Sequence, residues 1–219
     1  MKQNFIYKTA NNTFEINSFI TSIQNRDILC DYSRCSVFCK TGCRNFNKKY
    51  SCPPNSPSFE KISKNYEYIV VNAFQIPYEH LRSEYNTVRM ANVVAKSFQR
   101  KIFDKTVIDL NNSNINFFML ENGSCRLCKI CSMQKNEPCK HPDKMRFSLE
   151  ATGIDVNDLL LKCFDFSLQW YYKGQKNNFP EYQTVVGAIL TNKPEQIISI
   201  LNKNIDTISS RNTGFAQSS

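Results

Sequence analysis

The stretch GSCRLCKICSMQKNEPC, residues 123–139, decides how the middle of this chain folds, because it places four cysteines within fifteen residues. Cys125, Cys128 and Cys131 follow one another at steps of three, and Cys139 comes eight residues later. Three thiolates at this spacing point inward from a curled loop, and a more distant cysteine completes the fourth corner of a site. Regular helices and strands do not bring cysteines together in this way, so the stretch predicts a metal-binding loop.

The spacing is close to that of the loop that holds an iron–sulfur cluster in bacterial ferredoxins. Those loops have three residues before the last cysteine and a proline directly after it. Here seven residues intervene, and Pro142 lies three positions beyond Cys139. Zinc is the competing occupant, but structural zinc sites usually pair two Cys-x-x-Cys knuckles across a longer spacer. We therefore predict a [4Fe–4S] cluster on these four cysteines, with zinc as the less favoured metal.

A second concentration of cysteines precedes this loop, and Cys52 within it opens a Cys-Pro-Pro tripeptide. We predict a second [4Fe–4S] cluster there. Its predicted ligands, the first cysteine group, are Cys35, Cys39, Cys43 and Cys52. The fourth ligand is open: it is Cys35, Cys30 or no protein group, and cross-ligation between the two groups is a further possibility. The tenth cysteine, Cys163, lies in a helical pattern and is predicted to be a buried structural thiol.

The number of ligands in the first cysteine group decides between two functions. A cluster with four cysteine ligands is coordinatively closed and passes electrons. A cluster with three leaves one iron open to bind a substrate or hydrosulfide as a Lewis acid does. Electron transfer to a partner enzyme is the first hypothesis, an open-iron enzyme for substrate binding or sulfur transfer is the second, and a zinc-stabilised module that binds nucleic acid is the third.

Length and composition predict one cytoplasmic domain of ordinary size. The chain has 219 residues, and its N-terminus lacks the apolar segment of a signal peptide. In a reducing compartment, ten cysteines are better explained as metal ligands than as disulfides, so a secreted protein with five disulfides is disfavoured. We predict a single domain over residues 1–203, cysteine-rich loops at 30–57 and 123–147, and a disordered tail over 204–219.

The net charge of +9 is concentrated around the cysteines. Residues 34–64 and 126–146 together hold 13 basic and 3 acidic side chains, whereas the rest of the chain holds 15 basic and 16 acidic ones. Cations at this position stabilise an anionic cluster and tune its potential. They also favour a redox partner protein or an acidic or phosphate-bearing ligand. The alternative is a solvated basic surface without a specific ligand, and nucleic acid is the less favoured partner.

The apolar pattern predicts an α/β fold with a small, largely parallel sheet, flanking helices and two cysteine-rich loops. Residues through about Asp27 predict a strand and a short helix, and the loop from Cys30 to Pro57 is predicted to lack regular structure. Strands are predicted at 66–76, 114–120 and 184–191, and helices over 57–64 from Pro57, 77–103, 156–168 with Asp155 as the cap, and 194–203.

Two segments resemble the signatures of a family of predicted metal-binding proteins of unknown function. CKTGCRNFNKKYSCPPNSP is similar to the family's N-terminal signature, in which two cysteines four apart precede a third that begins Cys-Pro-Pro. GSCRLCKICSMQKNEPCKHPDKMRFSLEATGIDV is similar to its second signature. The resemblance covers roughly residues 30–192. It implies iron–sulfur binding and a bacterial or archaeal, often anaerobic, context, and it implies that Cys39, Cys43 and Cys52 act together; Cys30 and Cys35 lie outside its signature.

Other side chains are weaker candidates. His141 follows Cys139 closely and is either a plain loop residue or a partner of a cluster sulfur, while His80 is predicted to be a surface or packing histidine. Glu150 is either a capping residue or a general acid beside the cluster loop. The aromatic run Trp170, Tyr171 and Tyr172 is predicted to pack in the core, with a cover over a cluster or planar ligand as the alternative. With six glycines, the chain shows no phosphate-binding loop and no dinucleotide fingerprint.

Overall fold

The computed structural model describes residues 2–8, 13–78, 88–170 and 180–210. These ranges contain one six-stranded sheet. The strands are β1 (Lys2–Lys8), β2 (Thr13–Gln24), β3 (Tyr68–Pro77), β4 (Phe117–Glu121), β5 (Phe147–Ser148) and β6 (Tyr182–Thr191). Their spatial order is β1-β2-β3-β6-β4-β5.

The sheet is mostly antiparallel, so the prediction of a largely parallel sheet is wrong. Only the short pair β4–β5 runs parallel. β3 and β4 do point the same way, as the predicted strand–helix–strand connection requires, but β6 inserts between them and pairs antiparallel with both. The hairpin of β1 and β2 also departs from the predicted parallel sheet, because it adds the antiparallel pairings β1–β2 and β2–β3. The mixed α/β class with flanking helices is confirmed.

Helices cover both faces of the sheet. In the described residues they are α1 (Tyr32–Gly42), α2 (Phe59–Ser63), α3 (Val88–Asn112), α4 (Val156–Phe164) and α5 (Pro194–Ser210). Phe98, Ile102 and Leu110 of α3, with Leu201 of α5, join one hydrophobic core, and Leu159 of α4 joins the core on the opposite face. Because β3 contributes alternate side chains to both cores, it is buried almost throughout. None of these helices is both long and apolar enough to cross a membrane.

Several predicted elements are confirmed with shifted bounds. The strands at 68–77, 117–121 and 182–191 match predicted strands, and Asp155 caps α4 by accepting hydrogen bonds from the N–H groups of Asn157 and Asp158. The predicted helix of residues 77–103 lies partly outside the described residues. Its described part begins at Val88 and continues nine residues beyond the predicted end. α5 continues to Ser210, through the residues at which the sequence predicts the tail to begin.

Two local predictions are wrong. Residues 30–57 are predicted to lack regular structure, yet α1 occupies eleven of them. The predicted helix start at Pro57 is also displaced, since Ser58 is the N-cap and α2 begins at Phe59. The first error arises because cysteine and asparagine lower intrinsic helix propensity, and tertiary contacts outweigh that preference in α1.

Candidate metal centre

α1 sets the spacing of the first cysteine group. Asp31 is its N-cap and accepts a hydrogen bond from the N–H of Arg34 at 2.9 Å. Cys35 and Cys39 lie four residues apart and therefore share one side of the helix. Cys43 ends the helix, with its N–H donating to the carbonyl of Cys39 at 3.0 Å. A helix thus holds three cysteines in sequence along one side.

The start of α1 is fixed against the segment that follows β5. Gly153 has φ +95°, and a Cβ there would lie 2.7 Å from the backbone of Tyr32. Only glycine allows both this backbone angle and this approach. The Asp31 N–H also donates to the Gly153 carbonyl at 2.7 Å, and the Ser56 hydroxyl donates to the Ala151 carbonyl at 2.6 Å. Residues 149–155 therefore form the platform on which the first cysteine group rests.

The thiols of the first cysteine group influence one another electrostatically. Burial, followed by the charges of neighbouring Cys43, Glu150, Cys52 and Cys35, raises the pKa of Cys39 to about 11. A thiol in these surroundings keeps its proton at neutral pH until a cation replaces that proton. Cys39 is therefore near the other three cysteines of the predicted set.

Cys35 and Cys52 occupy different environments within the first cysteine group. The Cys35 thiol lies 3.9 Å from the carbonyl oxygen of Ile154, to which it donates. Cys52 is buried, with 6% of its surface exposed. Burial raises the pKa of Cys52, the hydrogen bond from Ser51 lowers it, and Cys43 and Cys131 each raise it. Cys52 is therefore close to a member of each cysteine group.

Cys30 and Cys163 lie outside both groups. Burial raises the pKa of Cys30, followed by the charges of Glu60 and Asp31, and no other cysteine contributes. Cys30 pairs through its backbone with Ile154, and both Cys30 and Cys163 pack against the core under α4. Burial raises the pKa of Cys163 to about 11. The predicted structural role of Cys163 agrees with this packing.

The second cysteine group lies on a loop held by short turns and by side-chain contacts. Ser132–Lys135 form one 3-10 turn, which Asn136 ends in the left-handed conformation, at φ 57°. The Ser132 hydroxyl donates to the carbonyl of Pro138 at 2.8 Å. This bond closes the seven-residue interval that separates Cys131 from Cys139, the interval in which the sequence departs from the ferredoxin spacing.

All four cysteines of the second group line one small cavity. Its lining includes Cys125, Cys128, Cys131, Cys139 and His141. The accessible volume is about 20 Å³, close to the space one water molecule needs. The four predicted ligands thus line a common interior.

The turn that contains Cys52 holds the second loop in place. The Lys49 ammonium donates to the hydroxyl of Ser124 at 3.1 Å and to the carbonyl of Cys125 at 2.7 Å. The N–H of Cys125 donates to the Ser51 hydroxyl at 3.1 Å. The Tyr50 hydroxyl donates to the Glu137 carbonyl at 2.8 Å. Residues 49–51 therefore join the two cysteine groups into one centre.

The donor set fits a metal centre by its chemistry. Eight thiols lie in two neighbouring groups, and thiolates are the ligands that select zinc and iron–sulfur clusters. Across the described residues, which include every cysteine, no three Cys, His, Asp or Glu side chains are close enough together to hold a single metal ion. Zinc would require each sulfur to lie about 2.3 Å from the ion.

The remaining candidate residues differ in exposure and in their distance from the cysteines. Glu150 is exposed and lies close enough to Cys35 and Cys39 to raise their pKa values. Trp170 has 65% of its surface exposed, so its predicted place in the core is wrong. His80, Tyr171 and Tyr172 lie outside the described residues. Sequence reasoning missed Lys49, Tyr50 and Ser51, although they directly precede Cys52, because nothing in their local pattern indicates a contact 75 residues away.

A family model described as a predicted metal-binding protein, DUF2284, matches residues 21–191, more than three quarters of the chain. The matched region includes all ten cysteines. No curated protein and no solved structure matches the chain.

Proposed function

The chain belongs to the DUF2284 family of predicted metal-binding proteins, and from this premise we propose that it carries two [4Fe–4S] clusters and transfers electrons to a partner enzyme. The ligands of the first cluster are Cys35, Cys39, Cys43 and Cys52, and those of the second are Cys125, Cys128, Cys131 and Cys139. The observation that carries the proposal is Cys52, whose buried thiol is influenced by Cys43 and by Cys131. Two thiol groups this close suit two redox centres that exchange an electron.

The identity of the fourth ligand in the first group follows from the surroundings of the two candidates. Cys35 contributes to the electrostatic environment of Cys39, whereas the charges that act on Cys30 are Glu60 and Asp31. Cys30 also has its backbone tied to Ile154 in an isolated bridge. Cys35 is therefore the better fourth ligand.

The clusters would supply one-electron oxidation and reduction, and the chain's own residues set the conditions. Burial of Cys52 lowers the local dielectric, and Lys49 beside it supplies a positive charge. A positive charge near an anionic cluster favours its reduced form. Hydrogen bonds to the cysteine carbonyls, such as that from Lys49 to Cys125, hold the loop in position.

The partner that we propose is an acidic redox protein. The basic residues of 34–64 and 126–146 are joined by exposed apolar side chains on the same segments, including Phe38 on α1 and Ile130 on the second loop. Apolar contacts surrounded by complementary charge suit transient docking. Because cysteines remain available as metal ligands where the compartment is reducing, we place the protein in the cytoplasm.

Metal analysis of protein purified without oxygen tests the proposal. We expect about eight iron and eight acid-labile sulfide per chain, as two [4Fe–4S] clusters require, and an EPR signal that appears on reduction and disappears on reoxidation. A chain that holds only zinc, or iron without sulfide, contradicts the proposal.

A pair of matched variants locates the clusters. Cys52→Ser removes a first-group ligand that also adjoins Cys131, so we expect at least half of the iron to be lost. Cys30→Ser makes the same chemical change outside both groups and should leave iron and sulfide unchanged. Equal loss in both variants would contradict the assignment of Cys52.

A second candidate function, an enzyme with an open iron in the first group, is favoured by one observation. The Cys35 thiol already donates to the Ile154 carbonyl, while Glu150 lies nearby with an exposed carboxylate that could move a proton. Cys35→Ser separates the two functions. An open-iron site with three ligands keeps its iron in that variant, whereas a site with four ligands loses it.

A further inference from the structure

A cleft runs between α3 and β4 and ends at the second cysteine loop. Its volume is about 680 Å³, within the range of small-molecule sites. α3 and β4 are joined by a short turn, so the C-terminal end of the helix lies beside the start of the strand. The opposite end of the cleft, near Lys96, therefore adjoins Cys125 and Arg126, which also line it.

The end of the cleft beside the cysteine loop is positively charged. Lys96 and Arg126 lie close enough that the Arg126 charge, after burial, lowers the pKa of Lys96. In the part of the chain that the structure describes, neither forms a salt bridge, whereas Arg146 is paired with Glu121 at 3.3 Å. The charge of Glu150 offsets part of this effect on Lys96, and Arg126 also interacts with Glu121, which lines the cleft. Because neither carboxylate forms a salt bridge with Lys96 or Arg126 in the described residues, an oxyanion between the two cations would lower their electrostatic energy.

The floor of the cleft contributes an unpartnered hydrogen-bond donor. Gln99 lines the cleft with only 3% of its surface exposed, and its side-chain nitrogen has no hydrogen-bond partner. That nitrogen is closed off from solvent and lies 3.1 Å from where a Cβ on Gly187 would stand, so an acceptor in the cleft reaches it when the Gln99 side chain turns toward the cleft. Burying an unsatisfied amide is costly, and a bound acceptor removes the cost.

The other end of the cleft is apolar. Phe103 and Val107 on α3 face this space together with Ile115, Phe117 and Met119 at the start of β4. Phe103, the nearest of these side chains, lies about 10 Å along the helix from Lys96 and about 6 Å from Gln99 by the 1.5 Å rise per residue. The cleft therefore has a cationic end and an apolar end.

We propose that this cleft binds a small organic anion, whose carboxylate or phosphate lies at Lys96, Arg126 and Gln99 and whose apolar body lies against Phe103 and Phe117. Lys and Arg donate charge-assisted hydrogen bonds to both kinds of oxyanion. The anion binds beside Cys125, next to the metal centre. The site depends on residues that are not metal ligands, so it stands whichever metal the cysteines hold.

Calorimetric titration of the full chain with its metal tests the site through four probes. Benzoate and phenyl phosphate each combine an oxyanion with an apolar body, and we expect at least one to bind with a Kd of about 1 mM or tighter. Benzamide lacks the charge and acetate lacks the apolar body, so both should bind at least tenfold more weakly. Binding of benzoate alone identifies a carboxylate ligand, and binding of phenyl phosphate alone identifies a phosphate ester.

Variants test whether binding occurs in this cleft. Lys96→Met should weaken the best probe at least tenfold, and Gln99→Leu should weaken it severalfold. Lys203→Met makes the same change as Lys96→Met on the exposed side of α5 and should have no effect. Iron and sulfide content should be unchanged in all three, which separates this result from the test of the clusters. No binding of either oxyanion, equal binding of benzamide, or unchanged affinity in Lys96→Met would overturn the proposal.

Discussion

The two cysteine groups obtain their shape in different ways. The first is held by backbone: three of its cysteines follow one side of α1, and α1 rests on Gly153 through contacts that leave no space for a side chain. The second lies on a loop whose longest regular element in its interior is the 3-10 turn Ser132–Lys135. Side chains of the first region, chiefly Lys49, Tyr50 and Ser51, fix that loop.

This difference implies a hierarchy between the two groups. The frame of the first group depends on residues 149–155 and does not require the second loop. The second group depends on the turn before Cys52, which itself depends on α1 and the residues that follow it. Damage to the frame of the first group should therefore unfold the second loop, whereas damage to contacts of the second loop should leave the fold of the first frame intact.

The largest effect is expected from Gly153→Ala, which disrupts the contact between α1 and residues 149–155. The new Cβ would lie 2.7 Å from the Tyr32 backbone and would stand on a residue at φ +95°. We expect the free energy of unfolding to fall by about 3 kcal/mol, as for other strained or overpacked positions. Urea unfolding measures the loss, and metal analysis should show both groups depleted.

Gly42→Ala is the matched control for that variant. Gly42 is the last residue of α1, and a Cβ there would meet nothing within 4 Å. Alanine is favoured over glycine in a helix, so stability should stay constant or rise by up to about 1 kcal/mol. If both variants lose the same stability, the close approach of Tyr32 to Gly153 does not support the first group.

A smaller effect is expected from Lys49→Met, which separates the second group from the first. The substitution removes two hydrogen bonds from a charged donor to residues 124 and 125. We expect a loss of about 1.5 kcal/mol in unfolding free energy, and metal lost from the second group first. Lys48→Met, which removes the same charge from the adjacent exposed residue, should change neither quantity. Equal metal loss from both groups in Lys49→Met would contradict the hierarchy.

The smallest effect is expected from pH and concerns the first group alone. The pKa of Cys39 is about 11 in the folded chain, above the 9.0 of an isolated cysteine thiol. The unfolded chain therefore loses this proton first, so the thiol's contribution is fully present below pH 9 and is lost as pH rises from 9 toward 11. Because the Cys39 thiol is only partly buried, solvent screening limits the loss to about 1 kcal/mol or less.

Denaturant unfolding of reduced, metal-free protein between pH 8 and about 11 measures this dependence. The difference between the wild-type chain and Cys39→Ala isolates Cys39 from Cys163, whose pKa burial also raises to about 11. Bound metal should remove the Cys39 contribution, since a coordinated thiolate no longer takes up a proton. An identical pH slope in Cys39→Ala would show that Cys39 does not contribute.

Composition was sufficient to predict the central strands but not their directions. Runs such as IVVNAF in β3 and VVGAIL in β6 are short, continuous apolar segments, and this pattern is typical of buried strands. Whether two such strands run parallel depends on which of them are neighbours. The insertion of β6 between β3 and β4 depends on tertiary packing, and no local sequence pattern predicts it.

The two groups of cysteines could be recognised from the sequence, because their members lie close together along the chain. Spacing alone left Cys30 and Cys35 equivalent, and the fold distinguishes them by placing Cys30 beside Glu60 and Cys35 beside Cys39. The helix over 32–42 had a signal in Asp31, a good N-cap, followed by cysteines at a helical spacing of four. Contacts from Lys49 to residues 124 and 125 had no signal, since they join segments that are distant in sequence.

The bonds from Lys49, Tyr50 and Ser51 to the second loop also have a thermodynamic consequence. If ligation of Cys52 orders this turn, it raises the affinity of the second group for its metal, and linkage requires the second group to raise the affinity of the first by the same factor. Occupancy is then cooperative. Molecules with both groups filled or both empty are favoured at equilibrium over molecules with one filled.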